Sequence, residues 1–417
     1  MMTKKERIKT TMSHREPDRV PLFELTAANP VLESVLGRKI TGFGTGEAKA
    51  ASIRASMKGE DAKRAMIREN VEGMLEMYEK VGFDMFWFRP TEYLVTVEMG
   101  LPDNITANFI FDVDIRVIEE NTFRIESPEY GFWSVEKYEE ESDTCVTVND
   151  SIKELGINEL RRYVEYLEQA DITNLHPVID DGLEAIKIAV EREKKQEDGM
   201  FVLGAADISC PTFVPFLPLF LQTMVDEPAI VERYMNSTTD GVMPILRAQL
   251  EMGVDGILGA VDWCHGGGPL FSPGMFRKFM APNLKRIVDE CHRYGVPFIK
   301  HLDGNTTVIL DILVDEVGID GLHSIEPAAG MDIEWVKKKY GERITLLGNI
   351  DCGNLLTFGT DQEVVDAVKN IIRAASPGGG HIFSSSNSIH SGVSPDTFRA
   401  MMNAVGEFGS YPIALSP

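Results

Sequence analysis

From residue 201 onward, short apolar runs alternate with longer stretches in which apolar positions recur every three or four residues. The short runs are "FVLGAAD", "VDGILGAVD", "PFIKHLD", "DGLHSIE", "ITLLGNID" and "HIFSSSNS", and the longer ones include "MFRKFMAPNLKRIVDECHRYG" and "DQEVVDAVKNIIRAAS". The short runs read as strands covered on both faces and the long ones as amphipathic helices. Ser394-Pro395 and Asp361 open helices, while Gly295 and Gly341 follow helical runs as stop residues. Repeated βα units are the mark of a closed barrel or a doubly wound sheet. Six lie here, and "VPLFEL" and "FDMFWF", separated by a helix near residues 61 to 80, supply two more. Eight units predict an α/β fold of the (β/α)8 TIM-barrel type.

Between residues 92 and 150 the period changes to two ("RVIEENTFRIESPEYGFWSVEKY"), which predicts an antiparallel β insertion acting as a lid or rim. The chain therefore divides into residues 1–91 with N-terminal helices and the first barrel units, 92–150 with the insertion, and 151–417 with the rest of the barrel and the active site. The stretch "EEESDT" reads as a solvated acidic loop.

A length of 417 residues, with 43% hydrophobic and 25% charged content, is enough for a large core. The formal net charge of −24 argues against nucleic acid or an anionic membrane surface as partner. The charged start "MMTKKERIKTTMSHREPDRV" lacks the apolar run of a signal peptide, and no stretch reaches the roughly 18 apolar residues of a membrane span, so a cytoplasmic protein is expected. The five cysteines, Cys145, Cys210, Cys264, Cys291 and Cys352, are scattered and never form C-x-x-C, which predicts reduced thiols.

A barrel of this type carries its chemistry at the carboxyl ends of the strands. Polar residues gather at five of those ends: Asp262, Cys264 and His265; His301 and Asp303; His323 and Glu326; Asn349 and Asp351; and Ser384 to Ser386, Asn387 and His390. His301 and Asp303 stand at i, i+2 on an extended strand end, which turns both side chains to one side. Two ionisable groups are costly to bury there without a task. Each of the others has a plainer reading. His323 reads equally well as a satisfied core histidine, Cys264 and Cys291 as inert packing residues, and "CHGGGPLFSP" as a flexible loop or as a close backbone approach to a ligand.

The run from "HLDGN" through "ITLLGNIDCGN", the later "GGGHIFSSSNSIHSGVSP" and the early "REPDRVPLFEL" resemble the uroporphyrinogen decarboxylase superfamily. That resemblance implies a (β/α)8 barrel and one of two activities: decarboxylation of a tetrapyrrole's acetate groups, or methyl transfer involving a corrinoid protein. The decarboxylases carry an arginine-rich segment of the form R-Q-A-G-R-Y that grips substrate carboxylates. The corresponding region here, "PLFELTAANPVLESVLG", has no arginine before Arg38. The methyltransferases that make methyl-thiols hold zinc with H-x-C-G-N and S-P-G-C motifs, but Asp303 and Asn387 stand where those cysteines would be.

The resemblance therefore implies a methyltransferase acting as an O-demethylase, which moves a methyl group from a small methylated substrate, such as a methoxylated aromatic, to a separate corrinoid protein. The chain shows no D-x-H-x-x-G run, so the cobalamin-type cofactor (methylcobalamin in its loaded form) would ride on that partner, docking at the barrel mouth. His301, Asp303 and Glu326 are the candidate catalytic residues, and Asp262, His265, His323, Asn387 and His390 the candidate substrate-binding residues. A zinc held by His301, Asp303 and Glu326 is a further expectation. A homodimer is compatible with this class. A decarboxylase of another carboxylated substrate and a non-catalytic ligand-binding barrel are the alternatives.

Overall fold

A computed structural model of the chain describes residues 2–41, 45–88, 113–169, 177–212 and 214–414, with 177–182 described by backbone alone. The strands are β1 Met85–Trp87, β2 Asp114–Glu119, β3 Thr122–Glu126, β4 Trp133–Glu139, β5 Thr144–Asp150, β6 Phe201–Ala205 and β7 Gly256–Gly259. They continue with β8 Cys264–His265, β9 Gly268–Pro269, β10 Phe298–His301, β11 Gly321–His323, β12 Thr345–Leu347 and β13 His381–Ile382. Seven form one parallel sheet in the order β1-β6-β7-β10-β11-β12-β13. β6, β7 and β10 are buried at every residue, as a sheet covered on both faces requires.

The ring closes through the segment read as the first strand. Leu22 bridges Phe383 in parallel. Phe383 N–H donates to Pro21 O at 2.9 Å, Phe23 N–H to Phe383 O at 3.0 Å, and Asp84 N–H to Leu22 O at 2.9 Å. This eighth member is short because Pro21 has no N–H to extend the ladder. The sheet curls into a TIM-barrel-like fold, as the alternation of periods predicts. The helices that cover it start where their caps dictate. Thr360 and Glu363 form a capping box on Asp361–Ala375, and Ser394 caps Pro395–Phe408 with proline in the first turn.

At the amino ends of the strands, aspartates staple neighbours together. Asp84, Asp255 and Asp320 each precede a strand and accept a neighbouring strand's N–H: Leu22 at 2.8 Å, Val202 at 2.9 Å and Phe298 at 2.7 Å. Asp84 is fully buried and also takes Arg7 Nη1 and Arg19 Nη1, each at 2.7 Å. Removing one partner of a buried ion pair costs about 3–5 kcal/mol. Asp84→Ala is expected to lower unfolding stability by about that amount, and a loss under 1 kcal/mol in denaturant titration would refute this role for the staple.

Residues 89–112, where the insertion was expected to begin, lie outside the described residues. The four strands β2 to β5 form the expected antiparallel sheet. It rests on helix Gly46–Ser56, where Lys49 reaches buried Glu136 at 2.9 Å. The acidic "EEESDT" loop is more than a solvated turn, because Asp143 O accepts Gly46 N–H at 3.0 Å and Asp143 Oδ1 accepts Glu47 N–H at 2.8 Å. Only glycine fits at position 46, since a Cβ there would lie 2.5 Å from the Thr144 carbonyl carbon. No helix among the described residues is long and apolar enough to cross a membrane.

Candidate active site

Strand register places His301 directly beside His323, at the carboxyl ends of β10 and β11. Both imidazoles are buried, and their Nδ1 atoms lie 2.6 Å apart. One of the two must therefore carry the proton. His323 Nε2 lies 3.1 Å from Ser384 Oγ, and that hydroxyl donates to Ser385 O at 3.0 Å. A hydroxyl that spends its proton on a carbonyl can only accept from the ring, so His323 carries its proton on Nε2 and accepts at Nδ1. His301 accordingly carries a proton on Nδ1 and turns Nε2 to the front of the site. Burial, then the neighbouring His301, holds the His323 pKa well below the ordinary range and keeps the ring neutral. His323 is thus both a satisfied core histidine and part of the site.

His301 Nε2 faces carboxyl groups, at 3.5 Å from Asp303 Oδ1 and 3.8 Å from Asp262 Oδ1, within reach of an ion pair with either. Asp303 N–H donates to Asp262 Oδ1 at 2.8 Å, Ser324 Oγ to Asp303 Oδ1 at 3.2 Å, and Asn387 Nδ2 to Asp303 Oδ2 at 2.5 Å. Glu326 Oε2 accepts Gly304 N–H at 2.6 Å. Gly304 is required where it stands, because its φ is +80° and a Cβ would lie 2.5 Å from His265 N. Burial, followed by the charges of Asp262 and Glu326, pushes the Asp303 carboxyl up to about 8. A carboxyl group raised in this way can hold a proton at neutral pH.

Lys300 and Asp207, which stand outside the residues expected from the sequence, brace this cluster from behind. Lys300 Nζ donates to Asp207 Oδ2 at 2.6 Å and Val261 O at 2.7 Å, and lies 4.1 Å from the centre of the Trp263 ring. Asp207 Oδ2 also accepts Val261 N–H at 3.0 Å, and its Oδ1 accepts Ile208 N–H at 2.8 Å. Both ends of the Val261 peptide are held, and Asp262 follows it. The signal was present in the chain: Lys300 is a charge inside an otherwise apolar strand, and such a charge needs a partner.

Two expected binding residues do not join the cluster. His265 is exposed on the tight β8–β9 ribbon and spends Nδ1 on Gly267 N–H at 3.0 Å, so "CHGGG" is an ordered turn. His390 is also exposed, with Nε2 at 3.1 Å from both Thr357 Oγ1 and Cys352 O and Nδ1 accepting Gly392 N–H at 3.1 Å. Local loop bonds thus engage both rings. Burial pushes the Cys264 thiol up to about 12 and the Cys352 thiol up to about 11, which leaves them protonated and inert.

Two of the three expected metal ligands stand with a further carboxyl group: Asp262, His301 and Asp303 each offer a donor atom, all within 4.8 Å of one another. Glu326 Oε2, the third, accepts the Gly304 N–H. One imidazole lone pair and two carboxylate oxygens suit a divalent cation such as zinc, and His323 behind Nδ1 is the kind of outer partner that fixes a ligating histidine.

Comparisons with known proteins agree with this architecture. The sequence pattern of the family described as Uroporphyrinogen decarboxylase (URO-D) matches residues 161–408. A uroporphyrinogen decarboxylase of Myxococcus xanthus is 29% identical over 194 residues, covering 46% of this chain and 51% of that protein. One of Magnetococcus marinus is 26% identical over 194 residues, covering 45% and 51%. The chain thus spans about half the length of these curated relatives. The solved structure of a methyltransferase from Methanosarcina mazei superposes with a TM-score of 0.63 at 20% identity, covering 98% of this chain and 99% of that one. The match over more than half of the chain, on the barrel that carries the His301–Asp303 pair, makes this protein a member of the uroporphyrinogen decarboxylase family.

Proposed function

We propose that the chain is the methyltransferase component that takes a methyl group from a small methylated substrate, such as a methoxylated aromatic, and passes it to a separate corrinoid protein docked at the barrel mouth. The observation that carries this reading is the placing of the half-buried Asp303 carboxyl group 3.5 Å from His301 Nε2 at the strand ends. A departing oxygen needs a proton, and a carboxyl with a pKa near 8 still holds one at neutral pH. The full-length likeness in fold to a protein named a methyltransferase is in keeping with it.

A corrinoid on its partner would supply the nucleophile that accepts the methyl group. The chain's own residues do the rest. Asp303 holds the proton for the leaving oxygen, with Ser324 and Asn387 orienting its carboxyl group. His301, with Nε2 at 3.5 Å from Asp303 Oδ1, helps to set where that proton sits. A zinc held by Asp262, His301 and Asp303 would instead supply Lewis-acid polarisation of the same oxygen.

Decarboxylation, the activity named for the relatives, is the second reading. The site opposes it, because Asp262 and Glu326 add carboxyl groups beside Asp303 while the adjacent Lys300 is fully buried and spent on Asp207. A polycarboxylate would meet repulsion there. Incubation with a reduced corrinoid protein and a panel of methylated compounds is expected to give the methyl–cobalt absorbance change. Substantial tetrapyrrole decarboxylation without it would overturn the proposal.

A further inference from the structure

The ladder that closes the barrel breaks at one point. The segment around Leu22 pairs with Phe383, and Ala27 pairs with Ile389, a step of five residues on one side and six on the other. The surplus residue makes residues 384–388 bulge, and bulges re-aim side chains beside active sites. Parallel pairing would next give Ser385 N–H to the Phe23 carbonyl. A side chain takes it instead: Glu24 Oε2 accepts Ser385 N–H at 3.2 Å, and Glu24 Oε1 accepts Ser385 Oγ–H at 2.7 Å and Leu25 N–H at 3.2 Å.

Glu24 is 1% exposed, and none of the groups that bond its carboxyl is cationic. A carboxyl group sunk in a barrel wall without a cation is a costly way to close a ladder that a carbonyl closes for less. What the bulge delivers explains its retention. Ser384 ends the chain of hydrogen bonds that sets the His323 and His301 protons, and Asn387 grips Asp303. One segment thus reaches both halves of the pair, and Asn387 N–H leans on the Ser385 hydroxyl at 3.4 Å.

On the reading given under Proposed function, we propose that Glu24 is a positioning residue: it clamps Ser385 so that the bulge holds His301 with its proton on Nδ1 and Asp303 in line with it. Glu24 touches neither ring, and acts through residues 384–387.

The test reads the imidazole tautomers directly, by nitrogen NMR of the full chain labelled with 15N-histidine, without any ligand. The native protein is expected to show His301 protonated at Nδ1 and His323 at Nε2, each in a single form. Glu24→Leu keeps most of the volume but removes every acceptor, and is expected to convert both rings to mixed or reversed tautomers while the exposed His265 and His390 keep their signals. Glu24→Gln retains the shape and one acceptor and is expected to restore the native pattern. Ser385→Ala, a smaller change, gives the same readout should the leucine variant fold poorly. With a methoxybenzoate as probe, Glu24→Leu is expected to lower kcat by roughly 10-fold to 100-fold with little change in KM, the usual cost of misplacing reacting groups. Native tautomers in both Glu24→Leu and Ser385→Ala would overturn the assignment. Altered tautomers in a protein that transfers no methyl group would uphold the clamp and dismiss the reaction.

Discussion

On the proposed function, Asp303→Asn is expected to lower methyl transfer from substrates with poor leaving groups by about 10²-fold or more, because general acid catalysis contributes at least that much. Binding changes little, since asparagine keeps the shape that Ser324 and Asn387 hold. The defect shrinks along a series of leaving groups of falling pKa, which need less help from the proton. The pH profile gives an independent check. The Asp303 pKa is raised to about 8, so the acid form prevails below that value and the rate falls as pH rises through it. The Asp303→Asn enzyme, which has no proton to lose there, is flat across the same window. A defect of equal size along the whole series, or a native profile without the fall near pH 8, would mean that Asp303 works as a carboxylate that places substrate or holds a cation.

The second large effect is on the fold and the site together. Lys300→Met leaves the Asp207 carboxylate fully buried with its cation gone, and such a break costs about 3–5 kcal/mol. Burial pushes the Asp207 carboxyl up, and Ile208 N–H, Val261 N–H and Lys300 Nζ, which all donate to it, oppose that push. The Val261 carbonyl also loses its donor, so the loop that carries Asp262 loosens and activity falls along with stability. Adding Asp207→Leu removes the stranded charge, and the double variant recovers much of the stability but not the activity. Denaturant unfolding of the single and double variants decides this. Equal stability of the two would show that the ion pair is not what braces the loop.

Much of the barrel is a matter of period, and period is local. Covalent geometry makes strand side chains alternate and helix side chains recur every 3.6 residues, so "FVLGA", "FIKH" and "DQEVVDAVKNIIRAA" declare their elements without help from the rest of the chain. The strand ends followed, and with them His301, Asp303 and Asp262. The insertion showed its alternation over β2 to β5, but not that Asp143 would be drawn into the start of a neighbouring helix.

The composition of the site was set by contacts that no local period carries. Glu24 and Ser385 lie 361 residues apart, and Lys300 and Asp207 lie 93 apart. The first pair meets because the sheet closes, and the second because β6 and β10 flank the same strand, β7. His265 and His390 look like His301 in the sequence, yet short-range loop bonds claim their rings. The position of the His301 proton depends on four groups from three strand ends in one hydrogen-bond chain. Side-chain periodicity determines which residues face the barrel. Which of them share a proton is decided by distances of about 3 Å between segments far apart in the chain, where one buried donor must find one acceptor.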